Sequence, residues 1–442
     1  MLKKILNDRS VFLLTGIACV LVYAPVVFLD FQRGWDDGWM VMNRFTYMGF
    51  TIDNLKTVFT GFYAGQYGPI NEVIYMAIYA IFGYNPAVYH LYPLLLHIAN
   101  SCLVLLFIKR LTGRYADPTT VRLVSFLTAL LFAIHPLQVE SIAWISASKI
   151  PLCTLFMLLA MITYIRYADT GKIRYYIGTF LLFLCSFGSK EESVVFPALL
   201  ILLDMTLGRT KSYPIEKSGD SASSKCSWGY LIVEKLPFLL FALFAGLATY
   251  ANQSADLIEK WAGYPFGQRM VFACYSIVEY IGKHIFPVKL LHLYPFPMAP
   301  GKDLPAYLYI YVGIMLIAFA YLIKNIKRNH WQIIFGLLFF FINMVLVLHF
   351  VAMSRFSIMA DRYVYLGSVG LFFIVAWYGV LWIRKMKGHT RKLAIVVVVC
   401  YLLYLGSYAH YRTHIWKDSK TLKKEFIELI DEDLLKKTRY RQ

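Results

Sequence analysis

The chain has 442 residues, of which 59% are hydrophobic and only 16% are charged. One soluble core cannot bury that much apolar surface, so the composition excludes a soluble domain and predicts a polytopic membrane protein. The formal net charge is +18, but the basic residues are scattered over many short loops and do not form the patch typical of nucleic-acid-binding proteins. We therefore interpret most of this charge as a topology signal and as contact with lipid headgroups.

The first apolar segment is predicted to stay in the protein as a membrane helix. Lys3, Lys4 and Arg9 precede an apolar run over residues 11–30, and no small-residue cleavage site follows that run. Because positive charge favours the cytoplasmic side, we expect the N-terminus in the cytoplasm.

Two adjacent carboxylates, Asp36 and Asp37, follow this first helix where it would emerge into water. Trp35 and Trp39 flank them and are the amphipathic aromatic residues typical of headgroup level. One carboxylate of such a pair can accept a proton while the other orients it or tunes its pKa, as acyl or glycosyl transfer requires. The alternative is that both are solvated charges at a helix end.

Apolar windows bounded by basic clusters predict about eleven transmembrane helices. The windows cover residues 11–30, 87–108, 121–135, 150–167, 175–188, 193–207, 230–250, 305–323, 331–351, 364–383 and 393–410. Basic clusters such as Lys109-Arg110 and Arg384-Lys385 then all fall on the cytoplasmic side. Residues 269–287 are apolar enough for a twelfth span, but a crossing there would place the Arg384 cluster outside. We therefore predict a helix lying in the outer interface.

This topology divides the chain into a membrane domain over residues 1–410 and a basic tail over residues 411–442. Two long extracytoplasmic loops are predicted, residues 31–86 with the acidic pair and residues 251–304 with the interfacial helix. In the tail, Asp418-Ser419 is expected to cap a helix whose apolar stripe lies on the outer leaflet. That stripe consists of Leu422, Phe426, Leu429 and Ile430.

No cofactor is predicted from the sequence. The seven cysteines have no paired spacing and indicate neither a disulfide framework nor a zinc site. His90 and His97 lie two helical turns apart, but we expect them to be buried and hydrogen-bonded, not metal ligands. No metal-ligand spacing was found, although a divalent metal that assists at the acidic pair remains an alternative.

Seven motifs in one order resemble a known family. They are Trp35-Asp36-Asp37; residues 82–86 leading to Tyr89-His90-Leu91 and Leu95-Leu96-His97; residues 132–144; Gly188-Ser189-Lys190-Glu191; residues 286–290 with Tyr294-Pro295; residues 359–365; and Trp416-Lys417-Asp418-Ser419. The order resembles that of the transmembrane and tetratricopeptide-repeat O-mannosyltransferases and their bacterial relatives, which have the GT-C fold. The chain departs from the family at Ser148, Lys149 and Ile150, where an Arg and an Asp are usual, and no repeat array follows residue 416.

The resemblance implies an inverting glycosyltransferase that uses a polyprenyl-phosphate sugar, such as one of mannose, and a protein Ser or Thr acceptor at the extracytoplasmic face. It implies Asp36 as the catalytic base, with Asp37 as its partner or as a ligand of the sugar or a metal. We expect Arg362 and Lys190 to bind the donor phosphate, because a guanidinium can form a bidentate contact and charges near the bilayer are usually paired or functional. A polar cluster at the substrate site is predicted from His135, Glu140, Glu191, Asp361 and Tyr363.

Other interpretations, without a role in sugar transfer to protein, remain open for these residues. Arg362 could pair with Asp361 and Lys190 with Glu191, and His135 could cap the preceding helix. The acceptor could instead be a lipid or a surface glycan. From another class, a transporter or lipid flippase also has many helices with intramembrane charges, but it should show inverted repeats, which we do not find. On the leading interpretation the protein lies in a bacterial inner membrane, with its active site facing the periplasm.

Overall fold

The structure, a computed structural model, describes residues 8–209, 228–252, 264–327, 330–350 and 357–429. Within these ranges the chain is helical, and its only strand-like pairings are two isolated bridges. In chain order, the α-helices are α1 (Asp8–Tyr23), α2 (Asp37–Met40), α3 (Arg44–Met48), α4 (Ile52–Thr60), α5 (Pro69–Phe82), α6 (Pro86–Thr112), α7 (Pro118–Ile134), α8 (Val139–Ala143), α9 (Lys149–Thr170), α10 (Ile173–Ser189), α11 (Phe196–Leu207), α12 (Trp228–Ala251), α13 (Phe266–Ile285), α14 (Tyr309–Lys327), α15 (Trp331–Met344), α16 (Ser368–Lys385), α17 (Gly388–Ile415) and α18 (Ser419–Leu429).

Seven helical segments of the described chain are long and apolar enough to cross a membrane, or eight if the bent pair of α7 and residues 136–143 is one span. The prediction of an all-α polytopic membrane protein is therefore confirmed. A helix occupies each of the eleven predicted windows, but α10, α11 and α15 have only 17, 12 and 14 residues. A spanning helix needs about 20 residues, so the count of eleven stays a prediction.

Short-range signals explain where the central helices begin and bend. The side chain of Asp117 caps α7 by accepting hydrogen bonds from the backbone N–H groups of Thr119 and Thr120, both at 3.1 Å. Pro136 comes two residues after the end of α7, and the chain bends by 55° between α7 and residues 136–143. This bend turns residues 135–143 inward, so that they lie under the loops at one end of the bundle.

Helices α15 and α16 cross at two glycines. A Cβ atom at Gly336 would lie far inside van der Waals distance of the Gly370 carbonyl oxygen, and the converse is also true. Small residues allow backbones to approach this closely in membrane proteins. The crossing positions the start of α16 and the turn before it, which carries Asp361 and Arg362.

Charges collect at the two ends of the bundle. At one end, Asp8 pairs with Lys109 at 2.7 Å, and Asp117 pairs with Arg384 at 2.7 Å. At the other end lie the acidic pair and Arg362, whose charge interacts with that of Asp36. The sequence-based sorting of polar motifs to two sides thus agrees with their grouping in the fold.

A buried ionic cluster that the sequence did not reveal joins α9, α11 and α12. Lys235 is fully buried and contacts both Asp204 and Glu234, and Arg209 pairs with the same two carboxylates at 2.9 Å each. The hydroxyl of Tyr164 donates to Asp204 at 2.7 Å. Two positive and two negative charges thus compensate each other, as burial of charge requires.

The predicted interfacial segment forms α13, which is not one of the seven candidate spans. One face of α13, including Phe272, Ile277 and Tyr280, packs into a core of its own with Tyr294 and Ile358. The segment therefore covers the end of the bundle that carries Arg362.

The C-terminal helix differs from its prediction. Asp418 caps α18 by accepting a hydrogen bond from the Thr421 N–H at 2.8 Å, as expected. However, Leu422 and Phe426 are buried in the protein, and the Phe426 ring lies 4.9 Å from that of His292. These two residues of the stripe therefore face the protein and not the outer leaflet, whereas Leu429 is exposed. Ile430 and the rest of the tail lie outside the described residues.

Candidate active site

The acidic loop divides its two carboxylates between different environments. Asp37 is fully buried, and its Oδ1 accepts hydrogen bonds from the Ser146 N–H at 3.0 Å and from the Ser146 hydroxyl. Its Oδ2 accepts from the Gln32 N–H at 2.8 Å. Burial raises the pKa of Asp37, while the hydrogen bonds from Ser146 and Gln32 oppose the rise. Both oxygens are occupied by the protein, so the geometry does not support Asp37 as a ligand of a sugar or metal.

Asp36 is instead half-buried. Among the described residues, it accepts one side-chain hydrogen bond, from Trp39 Nε1 to Oδ1 at 3.2 Å. Its second oxygen therefore remains available to a substrate. The buried Asp37 thus fixes the loop, while the half-buried Asp36 keeps one carboxylate oxygen accessible.

Arg362 does not pair with its neighbour Asp361. Its backbone N–H donates to Glu140 Oε2 at 2.9 Å, and its guanidinium donates to Glu140 Oε1. The guanidinium also lies over the rings of Trp144, at 5.0 Å, and Tyr363, at 4.8 Å. Glu140 is 1% exposed and Arg362 is 22% exposed. One face of the guanidinium is thus held by protein while part of it still reaches solvent.

Asp361 turns away from Arg362 and has other partners. It accepts a hydrogen bond from the Tyr294 hydroxyl at 2.6 Å and lies 3.8 Å from the guanidinium of Arg412 in α17. Burial raises the pKa of Asp361, and the charge of Arg412 opposes the rise. The alternative of an Asp361–Arg362 pair is therefore wrong. Asp361 instead anchors the turn that carries Arg362 to Tyr294 and Arg412.

Lys190 and Arg362 face one small cavity of about 40 Å³. This volume has room for about three water molecules. Glu192 and Tyr363 line the same cavity, and Lys190 Nζ pairs with Glu192 at 2.7 Å. The alternative of a Lys190–Glu191 pair does not match this geometry. Burial raises the pKa of Glu191, opposed by the charges of Lys149 and Lys190.

Lys149 is a site residue that the sequence analysis did not select. It begins α9, its Nζ donates to Gln66, and its charge interacts with those of Asp36, Lys190, Glu191 and Arg362. The available signal was the departure at this position, where a lysine stands at the start of an apolar helix. A charge in that place is costly unless it is paired or functional.

We call the space around the cavity that Lys190 and Arg362 line the chamber. His135 is not part of it. It is fully buried, its Nε2 lies 3.2 Å from the His284 carbonyl oxygen, and its Nδ1 accepts from the Leu137 N–H at 3.3 Å. The imidazole closes the turn after α7 by capping the residues that follow it, and not α7 itself as the alternative had it, and it takes no part in the polar cluster.

Glu72, in the first turn of α5, is hydrogen-bonded to the segment that follows the acidic pair. Its carboxylate accepts hydrogen bonds from Asn43 Nδ2 and Thr46 Oγ1, both at 3.1 Å. Burial raises the pKa of Glu72 to about 7 from 4.5, although these two hydrogen bonds oppose the rise. Because the folded state binds this proton more tightly than the unfolded state, the resulting stability is complete below pH 4.5 and is lost as the pH rises through about 7.

Glu72→Gln is expected to remove this pH dependence. At about pH 8 the variant should be more stable than the natural protein, by up to about 3 kcal/mol. At about pH 5 the two should be similar, because Glu72 is then protonated. Thermal unfolding in detergent at both pH values measures the difference. Parallel pH profiles for the two proteins would contradict the assignment, and Asp53→Asn, an exposed carboxylate in α4, is the control.

An apolar groove of about 500 Å³ lies beside the charged cavity. It is formed by α10, α12 and the loop before α5, with Tyr67, Phe187, Gly188, Phe241 and Phe244 among its lining residues. Gly188 comes two residues before Lys190, and Tyr67 directly follows Gln66, the partner of Lys149. The groove therefore opens next to the cationic side chains.

Within the part of the chain that the structure describes, no group of three or more His, Cys, Asp or Glu side chains could hold a metal ion. A divalent metal thus finds no preformed ligand set among these residues. Lys190, Arg362 and Glu192 line the cavity, and the charges of Lys149 and Asp36 interact with those of the lining residues. Such an arrangement can accept a proton and stabilise a departing anion.

Fold and site together define a multi-pass membrane protein with a charged chamber at one end of its helical bundle. No protein-family model matches the chain. A segment of 145 residues, which is 32% of this chain, is 32% identical to the mouse protein O-mannosyl-transferase TMTC2 and 31% identical to the human one. Over 164 residues, it is 30% identical to the human protein O-mannosyl-transferase TMTC1.

The matched segment spans only 16% of the length of each of these relatives. The motif-based resemblance to the transmembrane and tetratricopeptide-repeat O-mannosyltransferases is nevertheless confirmed by these relatives, over 32% of this chain. Among solved structures, the crystal structure of the apo oligosaccharyltransferase of Archaeoglobus fulgidus is similar, with a TM-score of 0.44 and 13% identity. That similarity covers 92% of this chain and 56% of the other.

Proposed function

We propose that the protein transfers a monosaccharide from a polyprenyl-phosphate donor to the hydroxyl of a protein serine or threonine. The observation that carries the proposal is the convergence of Lys149, Lys190 and Arg362 on one chamber, with the carboxylate of Asp36 in electrostatic reach. The relatives are named as protein O-mannosyl-transferases, which favours mannose as the sugar.

The donor phosphate is proposed to bind between Lys190 and Arg362, which face the same cavity. Part of the Arg362 guanidinium is exposed and can donate to a phosphate oxygen, while Glu140 and Trp144 hold it in place. Lys149 adds a third positive charge close by. These cations stabilise the phosphate as it leaves with the electron pair of the broken sugar–oxygen bond.

Asp36 is proposed to act as the base. Its free carboxylate oxygen accepts the proton of the acceptor hydroxyl as that oxygen attacks the anomeric carbon from the side opposite the phosphate. The new glycosidic bond forms while the sugar–phosphate bond breaks, so the anomeric configuration inverts. Asp37 takes no proton in this scheme, because its oxygens hold Gln32 and Ser146.

The apolar groove is proposed to hold the isoprenoid chain. It is lined by side chains of α10 and α12 and opens beside the cationic cavity, so a lipid tail in the groove would bring its phosphate to Lys190. Because the lipid tail gains apolar contact there, its binding energy contributes to donor affinity.

Ala245→Trp should block this groove. The alanine lines the groove from α12, so an indole there would occupy space that the lipid tail needs. We expect the KM for a long-chain donor to rise about tenfold, as loss of a few buried methylenes implies, with little effect on a short-chain donor. The matched control is Ala248→Trp on the exposed side of α12, which should leave both values unchanged. Equal effects on the two donor lengths would contradict this use of the groove.

The chamber is proposed to face the periplasm of a bacterial inner membrane. The support is the alternation of basic clusters along the sequence and the grouping of the remaining charges at the opposite end of the bundle. The test of the whole proposal uses purified protein in sealed vesicles, radiolabelled polyprenyl-phosphate mannose and a serine- and threonine-rich peptide. Transfer should occur only with the N-terminus inside and the peptide added outside.

Labelled lipid or glycan in place of labelled peptide would show that the acceptor class is different. Movement of the intact donor across the bilayer without transfer would indicate a flippase. Sugar transfer in neither assay would overturn the proposed function.

A further inference from the structure

The motif Trp416-Lys417-Asp418-Ser419, which we call the C-terminal strap, lies across the acidic loop although almost the whole chain separates the two. The Gln32 side-chain amide donates from Nε2 to the Trp416 carbonyl oxygen at 2.7 Å. Its Oε1 accepts from the Ser419 hydroxyl at 3.2 Å. The Asp30 N–H donates to the Lys417 carbonyl oxygen at 3.0 Å. The loop is therefore hydrogen-bonded to the strap along its length.

Gln32 passes this contact on to the acidic pair. It is fully buried, its side chain bonds the strap, and its backbone N–H donates to Asp37 Oδ2 at 2.8 Å. Asp37 in turn is the first residue of the short helix α2 and is preceded by Asp36. Two hydrogen bonds thus link the backbone carbonyl of Trp416 to Asp37 through Gln32, and Asp37 is the neighbour of Asp36.

The ring of Trp416 faces the other half of the site. It is fully buried and stacks on Trp144, with ring centroids 5.9 Å apart and an interplanar angle of 22°. The guanidinium of Arg362 lies 5.0 Å from the Trp144 ring. Arg362, Trp144 and Trp416 therefore form one continuous stack behind the cationic cavity.

His292 closes the connection on the outer side. Its ring lies 6.3 Å from that of Trp416 and 5.3 Å from that of Trp35, the residue before Asp36. Burial, together with the charges of Arg412 and Arg362, lowers the pKa of His292 to about 3. The imidazole is thus neutral at physiological pH and packs as an aromatic ring.

We propose that Trp416 is a positioning residue that sets the separation between Asp36 and Arg362. A residue that only fills the core would contact one side of the site. Trp416 instead holds the acidic loop with its carbonyl and supports the guanidinium with its ring. This inference rests on the proposed function, since it assigns to the two charged groups the roles of base and phosphate ligand.

The consequence is that the segment after the last membrane helix belongs to the catalytic unit. Arg412, one turn before Trp416, links α18 to the Arg362 side of the site, since it contacts Asp361 next to Arg362 and Glu425 in α18 at 3.3 Å. A displacement of α18 would therefore move both charged groups of the chamber. A misplacement of about 1 Å can cost about 100-fold in rate.

The test compares Trp416→Ala with Trp416→Phe, which keeps an aromatic ring on Trp144. The matched control is Trp382→Ala, because Trp382 is exposed on α16. We expect kcat for transfer from polyprenyl-phosphate mannose to fall about 100-fold in the alanine variant and less than about tenfold in the phenylalanine variant. The KM for the peptide should change little, and the control should match the natural protein.

A second variant keeps the proposal falsifiable if Trp416→Ala folds poorly. Gln32→Met removes the amide that bonds the strap but leaves the aromatic stack intact, and it should also lower kcat. In the double variant, the two effects should be less than additive because both act on one connection. Rates are normalised to the folded fraction measured by size-exclusion chromatography.

Near-wild-type kcat in folded Trp416→Ala, or losses that follow only the folded fraction, would overturn the positioning role. If Asp36→Asn abolishes transfer while Trp416→Ala does not, the proposed function stands and this inference alone fails. If Asp36→Asn transfers at the natural rate, the proposed function fails first.

Discussion

Asp36→Asn is expected to reduce sugar transfer by about 100- to 10,000-fold, the contribution usual for a general base. Asparagine has nearly the same shape and can still accept the hydrogen bond from Trp39, so the fold should be unchanged. The loss should appear in kcat and not in donor affinity, because the amide cannot take the acceptor proton. Single-turnover transfer of radiolabelled mannose to a peptide, together with direct binding of polyprenyl phosphate, measures the two separately.

Variants of two other carboxylates, Asp37 and Asp53, serve as comparisons. Asp37→Asn removes an acceptor from a fully buried site, so one N–H of the new amide would face the donors of Gln32 or Ser146, and lower stability is expected as well as lower activity. Asp53→Asn changes an exposed side chain and should have no effect. Transfer at an unchanged rate by Asp36→Asn would remove Asp36 from the role of base.

Arg362→Gln is expected to reduce transfer by about 100- to 1,000-fold, the usual cost of losing one donor to a developing anion. It should also destabilise the protein by about 3 to 5 kcal/mol, because Glu140 is 1% exposed and would lose its ionic partner. Activity and thermal stability of the purified variant give the two effects. Arg362→Lys keeps the charge but loses the planar fork, so its activity should lie between those of the natural protein and Arg362→Gln.

The double variant Glu140→Gln with Arg362→Gln separates stability from catalysis. With both charges neutral, no unpaired charge is buried, and most of the lost stability should return. Transfer should remain as low as in Arg362→Gln, because the phosphate still lacks its guanidinium. Arg33→Gln, an exposed arginine of the acidic loop, is the control for charge alone. Recovery of activity along with stability would show that Arg362 acts only as a structural ion pair.

Several features of the site followed from the sequence. The acidic pair after the first helix and the cationic motifs around Lys190 and Arg362 were predicted from local sequence and from motif order, and the structure places them at one end of the bundle. The helix over residues 269–287 and the cap at Asp418 were also predicted at nearly the observed positions. These features depend on residues that are close in sequence, so the sequence carries their signal.

The partners of the charged residues did not follow from the sequence. Arg362 pairs with Glu140, 222 residues away, and not with its neighbour Asp361. Lys190 pairs with Glu192, and Lys149 joins the chamber although it was noted only as a departure from a motif. The family resemblance implied Asp36 as the base, but the environments that distinguish Asp36 from Asp37 did not follow from the sequence, because they depend on the hydrogen bonds that Gln32 and Ser146 donate to Asp37.

By itself, the sequence determined that this is a helical membrane protein with its charges sorted to two sides, because spans and their orientation depend on local hydrophobic length and flanking charge. Only the tertiary structure decided which carboxylate is free, which cations share a cavity and how the C-terminal strap holds them. The physical reason is that these contacts join segments far apart in the chain, and their distances are set by helix packing, which no local pattern records.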